Sequence, residues 1–411
     1  MKYGHELFAS RALHSFLNSR PLSTKNKSVN CAVYGCGLSA SGALAIPKLV
    51  ANNNRDDTTV VSKNCKSPKR IPTFNTLAIR HVSSGFGFSL FASNSKLYGA
   101  GLNNRFQIAG KVGDLDTRKG QEYYISSKKI PLPIEEKIIG ISSGRAHSLI
   151  ATSSKVFAIG DNCFGQCGTD PSSSQVSVGT EEVPLKHVEI NSNSKIRAVH
   201  CSMDTSFVLT EDGEIFSFGL NEDGQCGNEK YGIQWEPKKV TGDVVGVKIK
   251  AIGGSTDTLL ALSEEGELFL WGQNEYGQAC GAYDEIQLLT SRRIPILGTR
   301  PVISMGSTAT GCVYTWGVGI LGMGPNTQKL TSHTRIPQPI FGDVNVKKVF
   351  AGNTNFAAIN EKGRLLVWGE NRFGSLGLGN EKYQLFPYQV SLPGNVKNVS
   401  LGADHSLFLV D

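Results

Sequence analysis

Apolar and polar residues alternate at period two along much of the chain, and the alternation keeps ending in the same way, on a short phrase closed by glycine. The phrase opens with an aliphatic residue and passes through an aromatic or small one. Its copies read Val33-Tyr34-Gly35-Cys36-Gly37, Leu97-Tyr98-Gly99-Ala100-Gly101, Val156-Phe157-Ala158-Ile159-Gly160, Ile215-Phe216-Ser217-Phe218-Gly219, Leu268-Phe269-Leu270-Trp271-Gly272, Val313-Tyr314-Thr315-Trp316-Gly317 and Leu365-Leu366-Val367-Trp368-Gly369. Period two with large side chains on both faces predicts a strand covered on both sides, and the glycine ends it. A second run precedes the phrase, seen as Phe207–Glu214 and Leu260–Glu267. Asp212-Gly213, Glu265-Gly266 and Lys362-Gly363 supply the positive-φ residues that turn two strands into a tight antiparallel hairpin. Further upstream sits a loop, Gly-x-x-His-Ser-Leu, complete at Gly144–Leu149 and Gly402–Leu407. Elsewhere Phe88, Thr205, Thr258 or Asn355 replaces the His.

The phrases begin at residues 33, 97, 156, 215, 268, 313 and 365, close to the ~40–50 residue period of propeller blades. One small twisted sheet cannot bury both of its faces, so such units are stable only when packed on neighbours around a ring. The first phrase has no Gly-x-x-His strand before it, and the chain stops at His405–Asp411 with no phrase after it. Each end is half a blade, and joining them removes the open edges. The expected fold is therefore all-β, a seven-bladed β-propeller over residues 31–411 closed by pairing of the N- and C-terminal strands. The sixth copy is short: between Gly306 and Val313 there is no room for the strand and hairpin that the fifth fits between Gly254 and Leu268. Either this copy folds as a three-stranded blade with an exposed edge, or the chain as read lacks a coded strand.

Composition adds an address. With 411 residues, 46 of them Gly, and 39% hydrophobic, the chain suits one large turn-rich ring, and no run approaches the ~18 apolar residues of a membrane span. The first thirty residues place Lys2, Arg11, Arg20, Lys25 and Lys27 against Glu6 alone, with Leu7, Phe8, Leu13, Phe16 and Leu17 at amphipathic spacing. This is the profile of a mitochondrial transit peptide, expected over residues 1–28 and removed on import. Arg11 and His14 interrupt the apolar core that a secretory signal needs. The net charge of +7 resides in this leader and in a loop from Lys48 to Arg70, which leaves the rest of the ring near neutral. A broad nucleic-acid footprint is not expected. A local phosphate contact through the basic loop is, with Arg55, Lys63, Lys66, Lys69 and Arg70 as RNA-contact candidates.

The chemistry of catalysis is thin. There is no Gly-x-x-x-x-Gly-Lys phosphate loop, no His-Glu-x-x-His and no serine-nucleophile motif, and the Gly-rich pieces belong to the blade phrase. Nine cysteines in a chain addressed to a reducing compartment imply no disulfide framework, and Cys163 and Cys167 lack a matching pair for metal. Cys167 and Cys226 stand at an apolar position of the Gly-Gln turn, where small buried residues are expected. No enzyme, cofactor or metal site is read from these residues.

The phrase, the Gly-x-x-His loop and the Gly-Gln-x-Gly turn together resemble the repeat of the regulator of chromosome condensation family, over residues from about 31 to the C-terminus. Ser39–Leu44 within Gly35–Pro47, the loop Gly144–Leu149, the stretch Gly317–Pro325 and Phe386-Pro387 resemble, more narrowly, the family's mitochondrial member. The resemblance implies a seven-bladed propeller and guanine nucleotide exchange on a GTPase, through acidic and His residues of the Gly-x-x-His loops. By motif position the GTPase-contact candidates are Arg145, His147, Asp204, Asp257, Asp404 and His405, Thr205 having replaced one His. The partner implied is a dynamin-like fusion GTPase of mitochondria, with peripheral association at the inner membrane. A role beside mitochondrial large-subunit rRNA and its maturation proteins, as a non-catalytic scaffold, is the other implication. The family's exchange factors carry a β-hairpin wedge after one strand. Gly160 runs straight into Asp161–Gly165, an ordinary turn, so no wedge is expected and exchange on the nuclear GTPase is not.

Overall fold

The computed structural model describes residues 31–50, 64–108, 116–118, 121–133, 135–173, 185–295, 302–304, 307–308 and 311–411. The transit peptide expectation at 1–28 lies outside them. Every described copy of the phrase is a strand, and its first residue is buried: Val33, Leu97, Val156, Ile215, Leu268, Val313 and Leu365 are at most 3% exposed. Six sheets of four or five antiparallel strands form the blades of an all-β propeller. In the fourth copy the order is Ile196–Ser202, Thr205–Thr210, Ile215–Asn221 and Gly232–Lys239. The second, third, fifth and seventh copies repeat it, inner strand to outer. Hairpins fall where the Asp-Gly and Glu-Gly pairs predict them, with Gly213 at φ +89° and Gly266 at φ +90°.

One sheet draws on both ends of the chain. Ala32–Gly37 pairs with His405–Val410, from Ala32 opposite Val410 to Gly37 opposite His405. Val396–Leu401 lies inside and Cys65–Arg70 outside. The segment from Lys48 to Arg70 is thus not one loop. Pro47–Leu49 is a 3-10 turn and Cys65–Arg70 is the outer strand of this terminal sheet, because Gly37 and Tyr34 offer it an open edge opposite Cys65 and Arg70.

The sixth copy departs from the expectation of a three-stranded blade. Among the described residues it holds two separate pairs, Val302–Ser304 with Ser307–Thr308 and Tyr314–Val318 with Lys329–Arg335. Among the described residues Ser307–Thr308 is paired with Val302–Ser304 and not with Tyr314–Val318. The outer pair is nevertheless packed. Trp316 Nε1–H donates to Gln278 O of the fifth copy at 2.8 Å, and Val313 and Ile336 cluster with Leu366 and Trp368 of the seventh.

The Asn-x-x-Gly-Gln turns fasten neighbouring sheets. Asn162, Asn221, Asn274 and Asn371 accept, through Oδ1, the backbone N–H five residues on at 2.8 Å. The first three turns present a Gln carbonyl to the next sheet, and the last, where Ser375 stands in the Gln place, presents the Ser375 carbonyl to Cys36 Sγ. Trp271 Nε1–H donates to Gln225 O at 2.8 Å and Ser206 Oγ to Gln166 O at 2.7 Å. Cys167 and Cys226 fill the space beneath these turns, and burial pushes the Cys226 thiol up to about 12. No helix among the described residues is long and apolar enough to cross a membrane.

Candidate functional site

The Gly-x-x-His loops and their variants gather on one end of the sheets. Each is pinned by the residue after a phrase glycine: Asp161 N–H donates to Ala146 O, Leu220 N–H to Asp204 O, Gln273 N–H to Asp257 O and Leu38 N–H to Asp404 O, at 2.8–3.0 Å. Only glycine permits this approach. At Gly272, with φ +90°, a Cβ would stand 2.0 Å from Asp257 O. The loops then join one another. Gly87 N–H donates to Asp404 Oδ1 at 3.3 Å, Phe86 N–H to Arg145 O, and Arg145 N–H to Met203 O. Ser202 Oγ–H extends the series to the fifth copy by donating to Thr256 O.

Of the six GTPase-contact candidates, Arg145, Asp257 and Asp404 reach this rim, while Asp204 and the two His rings are sunk beneath it. His147 and His405 are 0% exposed, because each ring is a staple between adjacent sheets. The Asp404 carboxylate accepts from His405 Nδ1–H at 2.7 Å, and Nε2 of the same ring is 2.7 Å from the Ser89 hydroxyl. At His147 a neighbouring hydroxyl sets the ring's role. Ser206 spends its proton on Gln166 O, so His147 Nε2–H donates to Ser206 Oγ at 2.9 Å. Burial holds the His147 ring neutral, its pKa lowered to about 3. A partner cannot touch either ring, and the expectation that they form part of a contact surface is corrected to an inter-sheet role.

The acids behave differently. Asp204 is buried under the partly exposed Arg145 guanidinium, which grips it with Nε 3.2 Å from Oδ1 and its second nitrogen on Oδ2. Desolvation raises the Asp204 pKa, and Arg145 opposes the rise. Asp257 is half-buried, takes a hydrogen bond from Gln225 Nε2 at 3.0 Å, and is raised by burial and then by Asp223, with Asp204 and Glu222 adding. Asp161 acts on Asp204 in turn. An arc of carboxylates, Asp161, Asp204, Glu222, Asp223 and Asp257, thus spans the third, fourth and fifth copies, with Arg145 on Asp204.

Sequence reasoning missed Asp161, Glu222 and Asp223. Their signal was present in the repeat, since the residues just after each phrase glycine must lie on the same end as the loops. It missed the apolar flank as well. Tyr231, Ile233 and Trp235 are 58%, 52% and 39% exposed on the outer strand of the fourth copy, whose Gly232 pairs with Asn221 at the rim end. Trp235 lies against Gly165 of the preceding turn. A third omission is a short hairpin. In the second copy Asp116–Arg118 pairs with Gln121–Tyr123 and adds a fifth strand at the rim end of the sheet, where no insertion was expected.

The RNA-contact candidates divide. Arg55 and Lys63 lie outside the described residues. Lys66, Lys69 and Arg70 are exposed on Cys65–Arg70, and Lys66 is paired with Glu381 at 3.3 Å. Among the described residues no three His, Cys, Asp or Glu side chains are grouped to hold a metal ion.

Comparison with known proteins gives this rim its context. The regulator of chromosome condensation (RCC1) repeat matches residues 153–209, 212–262 and 362–409, and a second form of that repeat matches 346–375. The RCC1-like G exchanging factor-like protein of Mus musculus is 34% identical over 402 residues, covering 92% of this chain and 87% of its own length. The chain belongs to the RCC1-like G exchanging factor-like family. Its Homo sapiens relative is 33% identical over 92% of the chain and 86% of its own length. The crystal structure of human WBSCR16 matches with a TM-score of 0.83 at 31% identity, over 93% of this chain and 99% of that one. Prp20p of Saccharomyces cerevisiae, whose structure was reported together with its binding to Gsp1p and histones, matches at TM-score 0.51 and 17% identity, over 93% of this chain and 91% of that one. That likeness is one of fold. For a member of this exchange-factor-like family the acidic rim is the surface to examine first, because it is charged, partly open and built from several copies at once.

Proposed function

We propose that the chain is a mitochondrial guanine nucleotide exchange factor that docks a dynamin-like fusion GTPase on its acidic rim. The observation that carries this reading is the arc from Asp161 to Asp257, in a chain whose relatives are RCC1-like G exchanging factor-like proteins. A carboxylate brought up to a nucleotide pocket competes for the Mg²⁺ and for the lysine that hold the phosphates, so the nucleotide is released as the propeller binds. Arg145 holds Asp204 in place, while Asp223, Asp257 and Glu222 present negative charge and Tyr231, Ile233 and Trp235 supply apolar contact beside it. The scaffold is read as a seven-bladed ring over residues 31–411, sealed by the sheet of both chain ends. The leader at 1–28 directs it to the matrix or to the matrix side of the inner membrane. The test is release of a fluorescent GDP from the purified GTPase, which the chain should accelerate. No acceleration over the spontaneous rate counts against the proposal.

A second reading, an RNA-associated scaffold in assembly of the mitochondrial large ribosomal subunit, rests on the exposed strand that carries Lys66, Lys69 and Arg70. Crosslinking in intact mitochondria separates the two: rRNA recovered through this strand favours the scaffold, and GTPase recovered through the rim favours exchange.

A further inference from the structure

The opposite end of the propeller carries a cleft that neither reading uses. It lies where the seventh copy meets the terminal sheet, has a volume of about 270 Å³, and is lined by Lys347, Lys348, Lys362 and Lys397 together with Glu361 and Asn395. Lys347 and Lys348 come from the inner strand Val346–Ala351, Lys362 from the hairpin turn before Leu365–Gly369, and Lys397 from the inner strand Val396–Leu401. Two segments of the seventh copy and one of the terminal sheet therefore deliver like charges to one place.

Like charges in a cleft repel unless something compensates. Lys397 Nζ is held by Asp411 at 2.6 Å. Glu361 Oε1 accepts from Asn345 Nδ2 at 3.2 Å. Among the described residues Lys347, Lys348 and Lys362 make no ion pair. Lys348 is the most constrained of them, largely withdrawn from water, its Nζ donating to Lys397 O at 3.0 Å. Desolvation first and Lys397 second press its pKa down, the mark of an ammonium that lacks a counter-ion. Three ammonium groups facing one carboxylate leave positive charge unmatched in a concave site. The size falls just under the ~300 Å³ at which pockets for drug-sized ligands begin, so the occupant is small or is one unit of a longer chain.

We propose that this cleft binds a phosphate-bearing anion, held by Lys347, Lys348 and Lys362 at the junction of the seventh copy and the terminal sheet. Lysine ammonium groups suit phosphate as mobile point charges with three donors each. The anion bridges the seventh copy and the inner strand of the terminal sheet, so binding should also stabilise the fold. Two sources share this chemistry, a free polyphosphate anion and the backbone of a single-stranded RNA.

The experiment is isothermal titration of the full chain with pyrophosphate, repeated with Lys347→Gln/Lys362→Gln and with the control Lys96→Gln/Lys155→Gln at exposed positions of the second and third copies. The wild-type chain should bind with one site and melt at higher temperature when saturated. The cleft double variant should lose roughly tenfold or more in affinity, while the control keeps it. Competition against a labelled single-stranded RNA then names the source. Displacement by pyrophosphate in wild type assigns the cleft to an RNA phosphate, and retention of the RNA assigns it to a free anion. The proposal is overturned if wild type does not bind pyrophosphate, or if the cleft variant binds as tightly as wild type. Loss of GDP-release activity bears on the rim alone, so the two failures are distinguishable.

Discussion

His147 shows how one residue can look functional in sequence and prove architectural. A His in a repeated loop at a convergent rim resembles a contact residue, but its ring is sealed between sheets with Ser206 and Gln166 behind it. Truncation leaves a cavity and a hydroxyl without its donor, so His147→Ala should cost ~2–4 kcal/mol in urea denaturation. A contact residue would lose exchange and keep stability. The same burial sets a pH dependence. His147 and His81 titrate near 3 and 4 in the folded chain against 6.5 in the unfolded one, desolvation being the main cause at both. Above about 6.5 both states hold neutral rings and stability is whole. As pH falls below that value only the unfolded chain takes up the protons, and stability drops by ~1.4 kcal/mol per pH unit for each ring. Urea midpoints between pH 7 and pH 5 should show the decline, with a shallower slope in His147→Gln; an unchanged slope would remove His147 from the account. The loop motif was legible in sequence and its direction was not. Whether a polar side chain faces solvent or the next sheet depends on what the neighbouring copy places there, and a single repeat does not contain that information.

At the scale of elements, phrases and hairpins were readable because glycine and period two leave few alternatives. The exceptions lie where a copy is longer or shorter than its siblings. The added strand Asp116–Arg118 follows no motif of the repeat, and the basic stretch ending at Arg70 became an outer strand because the first phrase exposed an edge for it. The sixth copy is the weakest part of the fold. Among the described residues Tyr314–Val318 is paired on one side only, with Lys329–Arg335, whereas Leu365–Gly369 of the seventh copy is paired on both. An unpaired edge opens at low cost. Hydrogen exchange should therefore be at least about tenfold faster at the amides of Tyr314–Val318 than at those of Leu365–Gly369. Equal protection would mean that the gap between the two small pairs is filled in solution.

At the scale of the molecule, the sheet shared by both ends ties the first and last strands together. Its two inner strands come from the C-terminal end, so deleting residues 397–411 should abolish cooperative thermal unfolding of the whole chain, read by circular dichroism. A truncated chain with the wild-type melting curve would confine that sheet to a local role. The fold organises two unlike ends, one bearing carboxylates and exposed aromatics, the other bearing lysines, which a near-neutral average charge conceals. The acidic end is the one at which we propose exchange, and GDP release from the proposed partner, a mitochondrial fusion GTPase, tests that proposal most directly. The wild-type chain should accelerate release, Asp223→Asn/Asp257→Asn should lose about tenfold of the acceleration while melting normally, and Lys347→Gln/Lys362→Gln should match wild type. Acceleration that survives neutralising the rim acids, or is absent in wild type, would contradict the account.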